Sequence, residues 1–258
     1  MKGAVLVTGA SSGIGLEIAR VFARNGFDVA LAARDQARLD EAAARIRADY
    51  GGRAETFAVD LASKDGARLL FERVTAAGWR IDVLVNNAGF GLWGHFRETS
   101  LDKELSLLQV NVAALTELSK RFLRPMIERG NGRICNIAST AAFQPGPLMA
   151  VYYASKAYVL HFTEALANEL GGTGVTATCV CPGPTESRFV ENADLGPSKL
   201  FRRKLPSAAS VAEQVYRAAM AGKPVHVCGL WNNVLVNLHR LTPRRVAPWV
   251  IRRMQEKA

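Results

Sequence analysis

The spacing of hydrophobic positions changes period repeatedly along the chain. "AVLVTG" at 4–9 is a short apolar run of the kind that forms a strand buried on both faces. "GIGLEIARVFARNG" at 13–26 carries its apolar residues at helical spacing and stops at a glycine. The alternation continues with a strand at 28–34, a helix over about 36–48, a strand at 54–61, a helix through "GARLLFERVTAAG" and a strand with its turn at 81–89. A long helix is expected over about 101–129, then a strand at 132–139, a helix through "VYYASKAYVLHFTEALANEL", and a strand at 175–183. A helix at 211–221 and a seventh strand at 224–229 close the series. Strands alternating with helices of this length build βαβ units. The pattern therefore predicts an α/β chain: a single doubly wound parallel sheet of about seven strands with helices on both faces. No repeat or low-complexity linker divides it, and 258 residues lie within reach of one core. Residues 184–210 break the rhythm with a polar, Pro/Gly-punctuated stretch, which is expected to be a lid or binding loop.

Composition narrows the picture little. At 49% hydrophobic and 22% charged residues the chain is not a disordered one. No apolar run approaches the roughly 18 residues of a membrane span. "MKGAVLVTGASS" has too short an apolar stretch for a signal peptide, so the expected location is cytoplasmic. Cys135, Cys179, Cys181 and Cys228 lie in or beside apolar segments, which predicts reduced core thiols. "TCVC" has no second Cys/His pair nearby, so no metal site is expected. The formal charge of +10 is uneven: residues 239–258 hold six Lys/Arg against one Glu. Without that tail the body is only mildly basic, and nucleic acid is not an expected partner.

"TGASSGIG" at 8–15 follows the first strand and opens the first helix. Glycines there permit a tight turn and close backbone approach, and a helix N-terminus attracts phosphate. Gly9, Gly13 and Gly15 are spaced more widely than G-x-G-x-x-G and match T-G-x-x-x-G-x-G. Further elements stand downstream: "NNAG" at 86–89, Asn111 in "LQVNV", Ser139 in "NIAST", Tyr152 and Lys156 in "YYASK", and "PGPT" at 182–185. In this combination the chain resembles the short-chain dehydrogenase/reductase family over roughly residues 1–230. The resemblance implies a Rossmann-fold catalytic domain there, with 231–258 as a basic helical extension packed on it.

Two adjacent tyrosines precede Lys156. At about 100° per helical residue, Tyr152 lies about 40° and Tyr153 about 60° from the lysine, so geometry leaves both in reach. The family pattern Y-x-x-x-K and the 13-residue gap back to Ser139 select Tyr152. Reducing a ketone takes a hydride at carbon and a proton at oxygen. A free tyrosine, with a pKa near 10, is too weak an acid to serve well. A neighbouring ammonium and a cationic nicotinamide would lower that pKa. Ser139 would hydrogen-bond the substrate oxygen. By resemblance, Lys156 also binds the nicotinamide ribose and Asn111 supports a proton relay.

The end of the second strand bears on the cofactor. Ala33 stands where NAD-type relatives carry Asp, and Arg34 follows, which is the arrangement for a 2′-phosphate and implies NADP(H). Asp35 is expected to be exposed or to cap the next helix. The resemblance adds Ser11, Ser12 and Ile14 in the glycine turn, Asp60 and Leu61 after the third strand, and Asn87, Ala88 and Gly89 beside the adenosine and ribose. Pro182, Gly183 and Thr185 follow on the nicotinamide side.

The expected activity is thus hydride transfer between NADP(H) and a carbonyl or secondary alcohol. The expected pocket, Gly91–Phe96, Phe143–Leu148 and the 184–210 loop, is apolar and aromatic, pointing to a small hydrophobic ketone or 3-oxoacyl-type substrate. His95 is expected at its rim. Two rivals remain: a non-catalytic NADP(H) sensor, and a membrane-associated lipid or steroid ketone reductase. In the tail, Val246, Val250, Ile251 and Met254 share one helical face flanked by arginines. Packing against protein is favoured over membrane contact, because Pro243 and Pro248 limit a long surface helix. Family members form dimers or tetramers, so a homodimer or homotetramer is expected.

Overall fold

The apolar runs line up side by side in one sheet. The computed structural model describes residues 2–186, 205–239 and 245–256. Its strands are β1 (Ala4–Thr8), β2 (Asp28–Ala33), β3 (Ala54–Ala58), β4 (Val83–Asn86), β5 (Gly132–Ile137), β6 (Val175–Cys181) and β7 (Val225–Val227). They run parallel throughout in the order β3-β2-β1-β4-β5-β6-β7. Between and after them come α1 (Gly13–Arg24), α2 (Gln36–Tyr50), α3 (Gly66–Ala76), α4 (Leu101–Leu108), α5 (Leu115–Glu128), α6 (Ala150–Glu169), α7 (Ala208–Met220), α8 (Leu230–His239) and α9 (Ala247–Gln255).

Alternation along β1 shows why helices cover both faces. Val5 and Val7 enter a core shared with Ile18 and Phe22 of α1, Leu39 of α2 and Val215 of α7. Leu6, between them, points to the opposite face and meets Leu70 of α3 and Leu118 and Phe122 of α5. Each such side chain contributes about 1.5–3 kcal/mol on burial. A strand with both faces covered must be apolar without interruption. After β3 the chain crosses to the far side of β1, so the winding reverses between β1 and β4. In open α/β sheets it is at such a reversal, outside the carboxyl ends of the strands, that ligands bind.

Most expected elements are present with shorter ends, and the long helix differs in kind. Residues 101–129 form α4 and α5 joined by a π-helical turn at Gln109–Ala114. The turn places Asn111 inward, where its side chain binds the backbone of Phe90. Such an inserted residue is a common device at functional sites. Of the expected 184–210 loop, residues 187–204 lie outside the described residues, but its two ends meet: Glu186 N–H donates to Pro206 O at 3.0 Å. Among the described residues, no helix is long and apolar enough to cross a membrane.

Candidate active site

The turn after β1 is built where side chains have no room. Gly9 and Gly13 sit at φ +67° and +57°, left-handed values that disfavour other residues. A Cβ on Gly15 would lie 2.3 Å from Gly9 O and 2.5 Å from Asn87 Nδ2. Ser12 is the extended N-cap residue of α1 but makes no side-chain cap bond. The hydroxyls of Ser11 and Ser12 have no hydrogen-bond partner among the described residues. The first N–H groups of α1, at Gly13, Ile14 and Gly15, have no intrahelical acceptors. Free N–H groups, two free hydroxyls and absent side chains together fit an anionic diphosphate. Gly15→Ala should cost about 1–3 kcal/mol of stability, because its new methyl meets backbone that cannot move aside. Urea-unfolding midpoints would check this.

The turn is tied to β4 through Thr8. Its Oγ1 accepts from the N–H groups of Asn87 and Ala88, both at 3.0 Å, and donates to Val85 O at 3.3 Å. Asn87 Nδ2 returns a bond to Thr8 O at 2.9 Å. Gly89 follows, exposed, where a Cβ would lie 2.9 Å from Asn111 Oδ1 and 3.5 Å from Lys156 Nζ. At the other end of the crevice Arg34 is exposed and makes no hydrogen bond or ion pair among the described residues. Asp35 caps α2, accepting from Arg38 N at 3.1 Å. Asp60 is exposed and accepts from Ala62 N at 3.0 Å. The Leu61 side chain is buried in the core, so only its backbone faces outward.

Four polar side chains converge beyond Gly89. Asn111 is 1% exposed; its Oδ1 accepts from Phe90 N at 3.1 Å, and its Nδ2 donates to Phe90 O at 3.0 Å and Ser155 Oγ at 3.1 Å. Ser139 ends the run after β5 and caps a short 3-10 turn, accepting from Ala141 N at 3.1 Å. It also acts on the Tyr152 phenol, whose pKa it lowers. α6 carries both Tyr152 and Lys156, whose Nζ donates to Ile137 O at 2.9 Å and lies 5.9 Å from the Tyr152 ring centre.

The helix spacing alone left two tyrosines in reach, and their partners separate them. The Tyr152 hydroxyl meets Ser139, whereas the Tyr153 hydroxyl accepts from Gln255 Nε2 at 2.5 Å. Burial pushes the Tyr152 phenol well above its ordinary value; Ser139 opposes this and nearby Tyr153 adds to it. This reverses the lowering expected from Lys156, because the phenol has lost its water and the ammonium bonds Ile137 O. Burial lowers the lysine itself to about 8, against the opposing influence of Cys179 and Cys181. Tyr152 therefore holds its proton across the physiological range.

On the far side, Thr140 N donates to Pro182 O at 2.8 Å, and buried Thr185 donates to Gly183 O at 2.9 Å. Gly183 abuts Asn232 of α8, where a Cβ would lie 2.5 Å from Asn232 Nδ2. The expected apolar segments do meet, since Gly94 N donates to Leu148 O at 2.9 Å. Leu92 and Trp93 of the first segment, with Met149 just past the second, cluster with Tyr152 and Tyr153. His95 and Phe96 instead face solvent, with Phe96 66% exposed, because the chain turns outward at Gly94. The tail also departs from expectation. α9 buries Ala247, Ile251 and Gln255, while Val246, Val250 and Met254 stay exposed. A polar residue occupies the packed face because its amide is hydrogen-bonded there. Asn232 and Gln255 carry no motif in the sequence; only their contacts reveal them, and only its contacts show that Thr8, the first residue of the glycine motif, ties the turn to β4.

Residues 3–197 match the sequence profile of the family described as short chain dehydrogenase. "Ketoacyl reductase HetN" of Nostoc is 39% identical over 215 residues, covering 83% of this chain and 74% of that protein. "Probable oxidoreductase EphD" of Mycobacterium tuberculosis is 30% identical over 256 residues, covering 93% of this chain. The chain spans only 43% of the length of that mycobacterial protein. A solved short-chain dehydrogenase from Sphingobium yanoikuyae, in complex with NADPH, superimposes with a TM-score of 0.83 at 30% identity, covering 93% of this chain and 94% of that one. The sheet order, the glycine turn on α1 and these matches lead to one statement: the chain belongs to the short-chain dehydrogenase family.

Proposed function

We propose that the chain is an NADP(H)-dependent carbonyl reductase, reducing a hydrophobic ketone or 3-oxoacyl-type substrate. The observation that carries this reading is the convergence of Ser139, Tyr152 and Lys156 beside the exposed Gly89. When bound, the nicotinamide supplies or takes up hydride at the substrate carbon. Tyr152 gives its proton to the substrate oxygen, and Ser139 hydrogen-bonds that oxygen as charge develops on it. Burial keeps Tyr152 protonated at rest, which suits reduction. Lys156 stabilises the phenolate left behind through its charge. Asn111 fixes the wall at Phe90 and supports the path by which Tyr152 regains its proton.

Gly9, Ser11, Ser12, Gly13, Ile14 and Gly15 would hold the diphosphate; Asp60, Leu61, Asn87, Ala88 and Gly89 the adenosine and ribose; Tyr152, Lys156, Pro182, Gly183 and Thr185 the nicotinamide end. Arg34 would take the 2′-phosphate, since its guanidinium is exposed without a competing carboxylate. The NADPH complex of the Sphingobium relative supports that choice. Arg34→Asp is expected to lower the preference for NADPH over NADH by about 10- to 150-fold, the worth of a charge-assisted bond. Dissociation constants from quenching of protein fluorescence would read it without any substrate. Initial rates with hydrophobic ketones and acyl thioesters test the reaction itself. Exposed Leu101, Leu105 and Leu108 of α4 and Tyr158 of α6 support assembly as a homodimer or homotetramer.

A further inference from the structure

The last turn of α9 carries Arg252 and Arg253, yet it commits a glutamine to the interior. Gln255 is 1% exposed. Its Nε2 donates to the Tyr153 hydroxyl at 2.5 Å, and its main-chain carbonyl accepts from Trp93 Nε1 at 3.2 Å. One turn earlier, Ile251 packs in the cluster that holds Leu107, Met149, Tyr152 and Tyr153. The Tyr153 ring fills the space over Gly146, where a Cβ would lie 2.2 Å from ring carbons. It also stands edge-on to Tyr152, with ring centres 6.0 Å apart. The tail thus reaches the ring next to the candidate proton donor by one hydrogen bond and one apolar side chain, and Trp93 by a second hydrogen bond. A buried amide is costly unless bonded, so these contacts fix one docking position and disfavour loose packing.

We propose that α9 forms a wall of the substrate pocket, and that Gln255 is a positioning residue which, through Tyr153 and Trp93, sets the size of the carbonyl compound admitted beside Tyr152. The side chains it gathers there, Ile251, Leu92, Trp93 and Met149, are apolar, while Arg252 and Arg253 are exposed. The compounds admitted are therefore uncharged and apolar around the carbonyl. The inference rests on Tyr152 as the proton donor; the docking of the tail does not.

The test uses the full chain with Ile251→Ala and Gln255→Leu, comparing a bicyclic aryl ketone such as tetralone with cyclohexanone. Widening the wall should raise kcat/KM for the bulky ketone relative to the compact one by about tenfold, through KM. The dissociation constant for NADPH should stay within about twofold. A ratio unchanged within about twofold in both variants overturns the proposal. Hydrogen exchange in the wild-type protein provides an arm that needs neither variants nor turnover. Saturating tetralone should slow exchange over 247–255; protection confined to 139–156 overturns the wall. Should Tyr152→Phe retain full turnover, the assignment of the proton donor fails, while the exchange result still decides whether α9 lines the pocket.

Discussion

Lys156→Met is expected to stabilise the fold by about 2 kcal/mol at neutral pH while lowering ketone reduction by at least about 100-fold. Burial lowers the lysine from 10.5 to about 8, so the folded chain carries an ammonium that has lost its water. At about 1.4 kcal/mol per pH unit, that burden is roughly 3 kcal/mol below pH 8. Removing the amine frees Ile137 O of its partner, at a cost of about 1 kcal/mol, and methionine fills the volume of the lysine stem. The pH dependence has a definite sign. The folded value lies below the unfolded one, so between about 8 and 10.5 the unfolded chain binds more protons. Wild-type stability from this group therefore rises with pH through that window, and the advantage of the variant shrinks across it. Urea midpoints measured below and above the window would show the convergence. A variant less stable than wild type on both sides would contradict the account.

Tyr152→Phe is expected to reduce kcat by about 10²–10⁴-fold, the usual contribution of a positioned acid. The ring remains, so the packing of the cluster around Leu107 and Met149 is kept. Only the hydroxyl and its interaction with Ser139 are lost, a change of about 1 kcal/mol in stability. The dissociation constant for NADPH should move by no more than a few-fold. That combination separates loss of a proton donor from loss of the site. Unfolding measured on the same sample would show that the protein is intact.

The sequence carries the fold well because both kinds of period are strong in it. The unbroken apolar strands and the helical spacing of residues 13–24 leave little choice of architecture. The glycine turn is equally legible, since each glycine answers a steric need that the structure displays. Less was visible where a long-range contact overrides a local pattern. The continuous helical spacing over 101–129 conceals the π-helical turn, because the bond from Asn111 to Phe90 joins residues 21 apart. The apolar stripe of the tail points to Val246 and Met254, yet the packed face is chosen by Gln255, 102 residues from its partner Tyr153. Likewise the phenol–lysine spacing suggests a lowered Tyr152, whereas burial raises it. Burial is a property of the assembled fold and has no signature in the spacing.

The most direct measurement is the rate at which the reduced-nicotinamide absorbance falls when NADPH and a hydrophobic ketone are mixed with the wild-type chain, Tyr152→Phe and Tyr153→Phe in parallel. The account predicts turnover in the wild type, retained turnover in Tyr153→Phe with an altered KM for bulky ketones, and almost none in Tyr152→Phe. Loss of turnover in Tyr153→Phe together with full activity in Tyr152→Phe would contradict it.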